Sequence, residues 1–173
     1  MKRRYEQDLA KWLRKKNRKP LVVRGARQVG KSTLIRQFAE SQKLTLFEVN
    51  LERNPQLMSV IETLDPVKIL TEIEFICRKG KVDPKKALLF VDEIQGVPKM
   101  LQAMRYFYEE MPDLEVVAAG SLLEFTLSDH SFPMPVGRIE YFHVGPVSWE
   151  EFLAAKGELS GSRSGSQGEV CQY

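Results

Sequence analysis

One octapeptide limits what this chain can become. Gly25-Ala26-Arg27-Gln28-Val29-Gly30-Lys31-Ser32 sets two glycines five positions apart and follows the second with an ammonium and a hydroxyl. Glycine reaches backbone angles closed to other residues and lets other groups come close to the chain. A loop built this way turns successive N–H groups inward and makes a nest for an anion. Lys31 adds a mobile point charge, and Ser32 adds an oxygen ligand for a divalent cation. A helix starting at Lys31 would bring about half a positive charge to the same place. The plain alternative is a glycine turn beside an exposed lysine. The flanks favour a phosphate loop: the apolar run Leu21-Val22-Val23 enters it as a strand, and Leu34, Ile35 and Phe38 follow at helical spacing. The candidate phosphate-binding set is therefore Gly25, Ala26, Arg27, Gln28, Val29, Gly30, Lys31, Ser32 and the adjoining Thr33.

The rest of the chain alternates strand and helix patterns. Tyr5, Leu9, Trp12 and Leu13 give residues 4–16 an amphipathic helix before Pro20. Residues 44–51 read as a second strand, and Pro55 and Pro66 each suit the first turn of a following helix, over 55–64 and 66–79. Ala87-Leu88-Leu89-Phe90-Val91 is a continuous apolar run, as in a parallel strand covered on both faces. A helix is expected from Pro98 through Tyr108, strands over 114–119 and 139–144, a loop over 128–137, and a short helix capped by Ser148. This alternation predicts a three-layer α/β fold with a mainly parallel sheet, whose strand C-terminal ends share one ligand-binding edge. From residue 157 onward the periodicity is lost, and eight of the last seventeen residues are Gly or Ser. The expectation is one domain over 1–156 and a disordered tail or truncation over 157–173.

The apolar run stops abruptly at Asp92-Glu93. A carboxylate pair there can complete a phosphate site, Asp92 binding Mg²⁺ and Glu93 polarising an attacking water. Its alternative is a pair of capping acids. Because the second carboxylate is what hydrolysis needs, the pair favours hydrolysis over phosphate transfer to an acceptor. Ser121, closing Ala118-Ala119-Gly120-Ser121, is a candidate to orient water or sense a γ-phosphate, or else a turn-forming serine. Arg138 is a candidate arginine finger acting on another subunit, or else a surface arginine. His130 and His143 have no partner motif and read as plain surface or core histidines.

Charge and cysteine usage bound the remaining classes. Residues 1–19 carry nine Lys or Arg against Glu6 and Asp8, while the rest of the chain is net acidic, so the basicity belongs to the N-terminal arm. Such an arm can contact DNA or an acidic protein partner, or can simply be a solvated helix face. Cys77 and Cys171 stand far apart, with no paired spacing for zinc or a disulfide framework. No apolar run approaches a membrane span and no signal-like core follows Met1, so the expectation is a soluble, cytoplasmic protein.

Together, the phosphate loop, Leu88-Leu89-Phe90-Val91-Asp92-Glu93-Ile94-Gln95, Ala119-Gly120-Ser121, and Gly137-Arg138 leading to Pro146-Val147-Ser148-Trp149-Glu150-Glu151-Phe152 carry a family resemblance. The chain resembles the AAA-type ATPases of prokaryotes that join an N-terminal ATPase domain to a C-terminal domain of unknown function. The resemblance implies an additional-strand AAA+ core with sheet order 5-1-4-3-2. It also implies ATP and Mg²⁺ held at Lys31, Ser32, Asp92 and Glu93, and a sensor role for Ser121. Arg138 carries over as a finger only where relatives assemble. A helical lid and a C-terminal domain are implied beyond residue 156, and no residue of this chain is assigned to them. The expected function is an ATP-driven switch. The alternatives are a non-hydrolysing nucleotide sensor or interaction module, with its basic arm on nucleic acid, and a P-loop phosphotransferase.

Overall fold

The computed structural model describes residues 5–121 and 137–156. The expected loop up to residue 136, His130, Cys171 and the tail from residue 157 lie outside the described residues. The elements run α1 (Tyr5–Leu13), β1 (Leu21–Arg24), α2 (Lys31–Ser41), β2 (Thr45–Asn50), α3 (Leu57–Ile61), α4 (Pro66–Cys77), β3 (Ala87–Asp92), α5 (Lys99–Glu110), β4 (Glu115–Gly120), β5 (Glu140–His143) and α6 (Trp149–Lys156), with a 3-10 turn at Ile94–Gly96.

All five strands are parallel, in the order β2-β3-β4-β1-β5, which is the expected 5-1-4-3-2. The continuous apolar runs follow from burial on both faces. On one face Leu21 and Val23 of β1, Leu88 and Phe90 of β3, and Val117 and Ala119 of β4 pack with Leu34, Ile35 and Phe38 of α2 and Leu9 and Trp12 of α1. On the other, Val22, Leu89, Val91, Val116 and Ala118 pack with α3, α4 and α5 through Leu57, Ile61, Ile69, Ile73, Met104 and Phe107. The alternation of strand side chains thus splits one hydrophobic sheet into two cores.

Several ends differ from the sequence pattern. The helix expected over 55–64 keeps only Leu57–Ile61, and Leu64 closes the segment with φ 55. Helix α4 ends two residues early because Arg78 takes the left-handed conformation at φ 53. At its start, Asp65 accepts hydrogen bonds from the N–H groups of Val67 and Lys68, with Pro66 in the first turn. Ser148 and Glu151 form a reciprocal cap at the start of α6.

Two cations of the basic N-terminal arm, Lys15 and Arg18, are engaged by the body of the domain. Arg18 lies over the Trp12 ring, donates to the Leu13 carbonyl and pairs with Glu115 at 3.0 Å. Lys15 reaches Glu140 on β5. Glu115 is 7% exposed, and among the described residues its second carboxylate oxygen has no partner. Burial pushes its carboxyl above the usual range, and Arg18 opposes that rise.

Removing one member of such a buried pair strands the other charge, so Arg18→Met should cost about 3 kcal/mol at neutral pH. The deficit should be smallest where Glu115 is protonated and should grow as pH rises through its titration, because only the ionised carboxylate needs the partner. Urea unfolding of both chains across that range checks this; a deficit that grows on acidification would contradict the pairing.

Candidate functional site

The phosphate loop leaves the C-terminal end of β1 with almost no room. Gly25 has φ 151, and a Cβ built on it would stand 2.1 Å from the Val144 carbonyl oxygen, just past β5. Gln28 (φ 61) and Gly30 (φ 85) also take left-handed angles, and Gly30 delivers the chain into α2. The Lys31 ammonium turns back on the loop, donating to the carbonyls of Gly25 at 3.0 Å and Ala26 at 2.8 Å. Burial and the nearby Arg27 lower its pKa, against the attraction of Glu93 and Asp92.

Strand order brings the second half of the site alongside. Ser32 Oγ donates to Asp92 Oδ2 at 2.7 Å, joining the first turn of α2 to the last residue of β3. Asp92 Oδ1 accepts from the N–H of Glu93. Asp92 is 6% exposed. Burial pushes its carboxyl up, helped by Glu93 and Glu48, while the Ser32 hydroxyl and the Glu93 N–H hold it down. A hydroxyl and a desolvated carboxylate this close are the oxygen donors a hard divalent cation takes, so the residues fit magnesium.

A cleft of about 540 Å³ opens here, lined among others by Arg27, Lys31, Thr33, Glu93 and Ser121. Ser121 is buried at the end of β4, and its hydroxyl accepts from Arg27 Nε at 3.4 Å. Glu93 sits at φ 59, ψ 45, and the turn after it carries Gln95 to both Glu93 and Ser121. The structure therefore gathers Arg27, Lys31, Ser32, Asp92, Glu93 and Ser121 at one sheet edge. Arg138 is not among them: it precedes β5 at the opposite edge, paired with Glu109 at 2.9 Å. His143 lies exposed on β5. Sequence reasoning gave no role to Gln95 or to Glu52, which also lines the cleft just past β2. The signal for Glu52 was its place after a strand, since every parallel strand ends at this edge.

A parallel sheet whose first strand passes through a glycine loop into a helix, with an acid-ended strand two places away, defines the P-loop nucleotide-binding class of α/β proteins. A family model described as an AAA domain matches residues 17–153. The chain belongs to that AAA-domain family. Nothing among curated proteins matches the sequence. Among the described residues no helix is long and apolar enough to cross a membrane.

Gly25 has no tolerated replacement in this geometry. Gly25→Ala must move either the loop or the Val144 carbonyl, and it keeps a strained φ; it should cost about 3 kcal/mol. The urea midpoint measures this, and a midpoint unchanged from the parent chain would show that the close approach is not maintained.

Proposed function

We propose that this domain binds ATP with magnesium and hydrolyses it, working as a nucleotide-driven switch. The observation that carries the reading is the 2.7 Å contact of Ser32 with Asp92, beside Lys31 and with Glu93 next in the chain. It joins the phosphate loop to a carboxylate pair, the arrangement that hydrolysis requires and that simple anion binding does not.

In this reading the first-turn N–H groups of α2, which lack helical acceptors, bind phosphate oxygens. Lys31 exchanges the Gly25 and Ala26 carbonyls for the β- and γ-phosphates, a move its flexible stem allows. Ser32 and Asp92 hold magnesium, which when bound neutralises charge on the β- and γ-phosphate oxygens. Glu93 accepts a proton from water as its oxygen bonds to the γ-phosphorus. The bond from that phosphorus to the bridging oxygen breaks, giving ADP and inorganic phosphate. Ser121 and Arg27, which also line the cleft, face the transferred group. A change at the loop is passed to a target, which is how the switch acts.

A cytoplasmic setting fits this use of ATP and the unpaired cysteine spacing. The interaction-module alternative through the basic arm draws less support, because Arg18 and Lys15 are already engaged by Glu115 and Glu140. Arg138 serves as a finger only if another copy supplies a cleft to it.

Phosphate release from ATP and from GTP tests the reading. Lys31→Ala should weaken ATP binding about 100-fold, the loss of a strong charged contact. Glu93→Gln should keep ATP bound while kcat falls about 100-fold or more. Chelating magnesium should stop turnover in the parent chain. Normal turnover by the Glu93→Gln chain would remove Glu93 as the base, and phosphate found on an acceptor instead of in solution would favour the phosphotransferase.

A further inference from the structure

Gln95 lies two residues past the carboxylate pair, on the 3-10 turn Ile94–Gly96. The left-handed conformation of Glu93 reverses the chain so that both ends of the Gln95 amide meet the cleft's residues. Its Nε2 donates to Glu93 Oε2 at 2.5 Å, and its Oε1 accepts from the N–H of Ser121 at 3.1 Å. The amide cannot be turned round. A backbone N–H only donates, so the oxygen must face Ser121, and an ionised carboxylate only accepts, so the NH₂ must face Glu93. Beyond Ser121, the hydroxyl of the same residue meets Arg27 of the phosphate loop. Four residues from three loops thus form one chain of contacts, Arg27 to Ser121 to Gln95 to Glu93.

We propose that Gln95 is a positioning residue for hydrolysis, fixing the direction of the Glu93 carboxylate and tying it through Ser121 to the phosphate loop. The proposal rests on the reading of Glu93 as the base. A glutamate side chain free to rotate spends little time aimed at one water. Anchoring Oε2 leaves Oε1 for that water and restricts it to one direction. Because the anchor is itself held by β4, movement at Arg27 or Ser121 as the loop fills is transmitted to the base. Gln95 touches no reacting atom in this scheme and acts only through Glu93.

The test compares steady-state ATP hydrolysis by the parent chain, Gln95→Met, Glu93→Gln and the double variant. A misplacement of about 1 Å at a catalytic group costs up to about 100-fold, so Gln95→Met should lower kcat about 10- to 100-fold. KM and ADP affinity should stay within about twofold, since Gln95 makes no nucleotide contact in this scheme. In the Glu93→Gln background, Gln95→Met should cause no further loss, as expected for residues acting as a unit. Should Gln95→Met fail to fold, Gln95→Leu takes its place. The ground-state contact is read in the parent chain without turnover. The Gln95 side-chain NH₂ resonance should lie downfield of the other glutamine amides and should move upfield on Glu93→Ala. Full kcat in Gln95→Met, a loss that multiplies with that of Glu93→Gln, or an amide signal indifferent to Glu93 would each overturn the proposal. A dead Glu93→Gln beside a fully active Gln95→Met sinks this inference alone, whereas an active Glu93→Gln sinks the reading beneath it.

Discussion

The hydrogen bond from Ser32 to Asp92 is the contact on which the architecture converges, because it closes a site whose halves are 60 residues apart in the chain. It also spans a strand. β4 lies between β1 and β3 in the sheet, so the loop after β1 and the acids after β3 meet only over the end of β4. Register makes that end the right height. Arg24 pairs with Gly120 and Val91 with Ala118, so Gly25 stands level with Ser121 and Asp92 two residues lower, beside Ala119. The inserted strand therefore places Ser121 between the phosphate loop and the carboxylates, and its position follows from topology before any side-chain preference is considered.

The site is costly to hold. Gly25, Gln28, Gly30 and Glu93 all have positive φ, and for the two non-glycines that conformation is unfavourable. Lys31 and Asp92 are charged groups of opposite sign, both nearly buried. Such strain and desolvation persist only where the surroundings over-determine the geometry. Here the surroundings are two apolar cores on a five-stranded sheet, with β3 and β4 buried along their whole length. The rigid sheet supports the strained loops, and the loops carry the chemistry.

The strands were legible because both-face burial demands unbroken apolar runs, and Leu88 to Val91 shows this most clearly. The phosphate loop was legible because few residue types allow its backbone. Strand order was not written in periodicity at all; it came through the family resemblance, since nothing local in Leu114 to Ala119 says that this strand inserts between two others. Helix ends were blurred where Leu64 and Arg78, neither of them glycine, took left-handed angles that propensity would assign to Gly80. Gln95 was quoted in the resemblance yet carried no signal of its own. Its meaning arises from a turn that swings it onto Ser121, 26 residues away. Arg138, read as a finger acting on another subunit or as a surface arginine, stands away from this chain's own cleft because it precedes a parallel strand, and the cleft lies at the other end.

The N-terminal arm shows how a charge run changes meaning once its partners are visible. Its cations read either as a solvated helix face or as a contact for DNA or an acidic partner, and two of them, Arg18 and Lys15, are drawn to carboxylates at the starts of β4 and β5. Its apolar face then settles through Leu9 and Trp12 on the core beside α2. At the other end of α1, the Tyr5 ring meets Phe142 edge-on and its hydroxyl accepts from the N–H of Gly145. Gly145 follows Val144, whose carbonyl forms the wall against which Gly25 packs, and whose N–H is bonded to Arg24. The arm thus braces the segment that denies Gly25 a side chain. The phosphate loop takes its shape partly from a helix that precedes it, because the tight turn after β1 can hold only as long as that wall does.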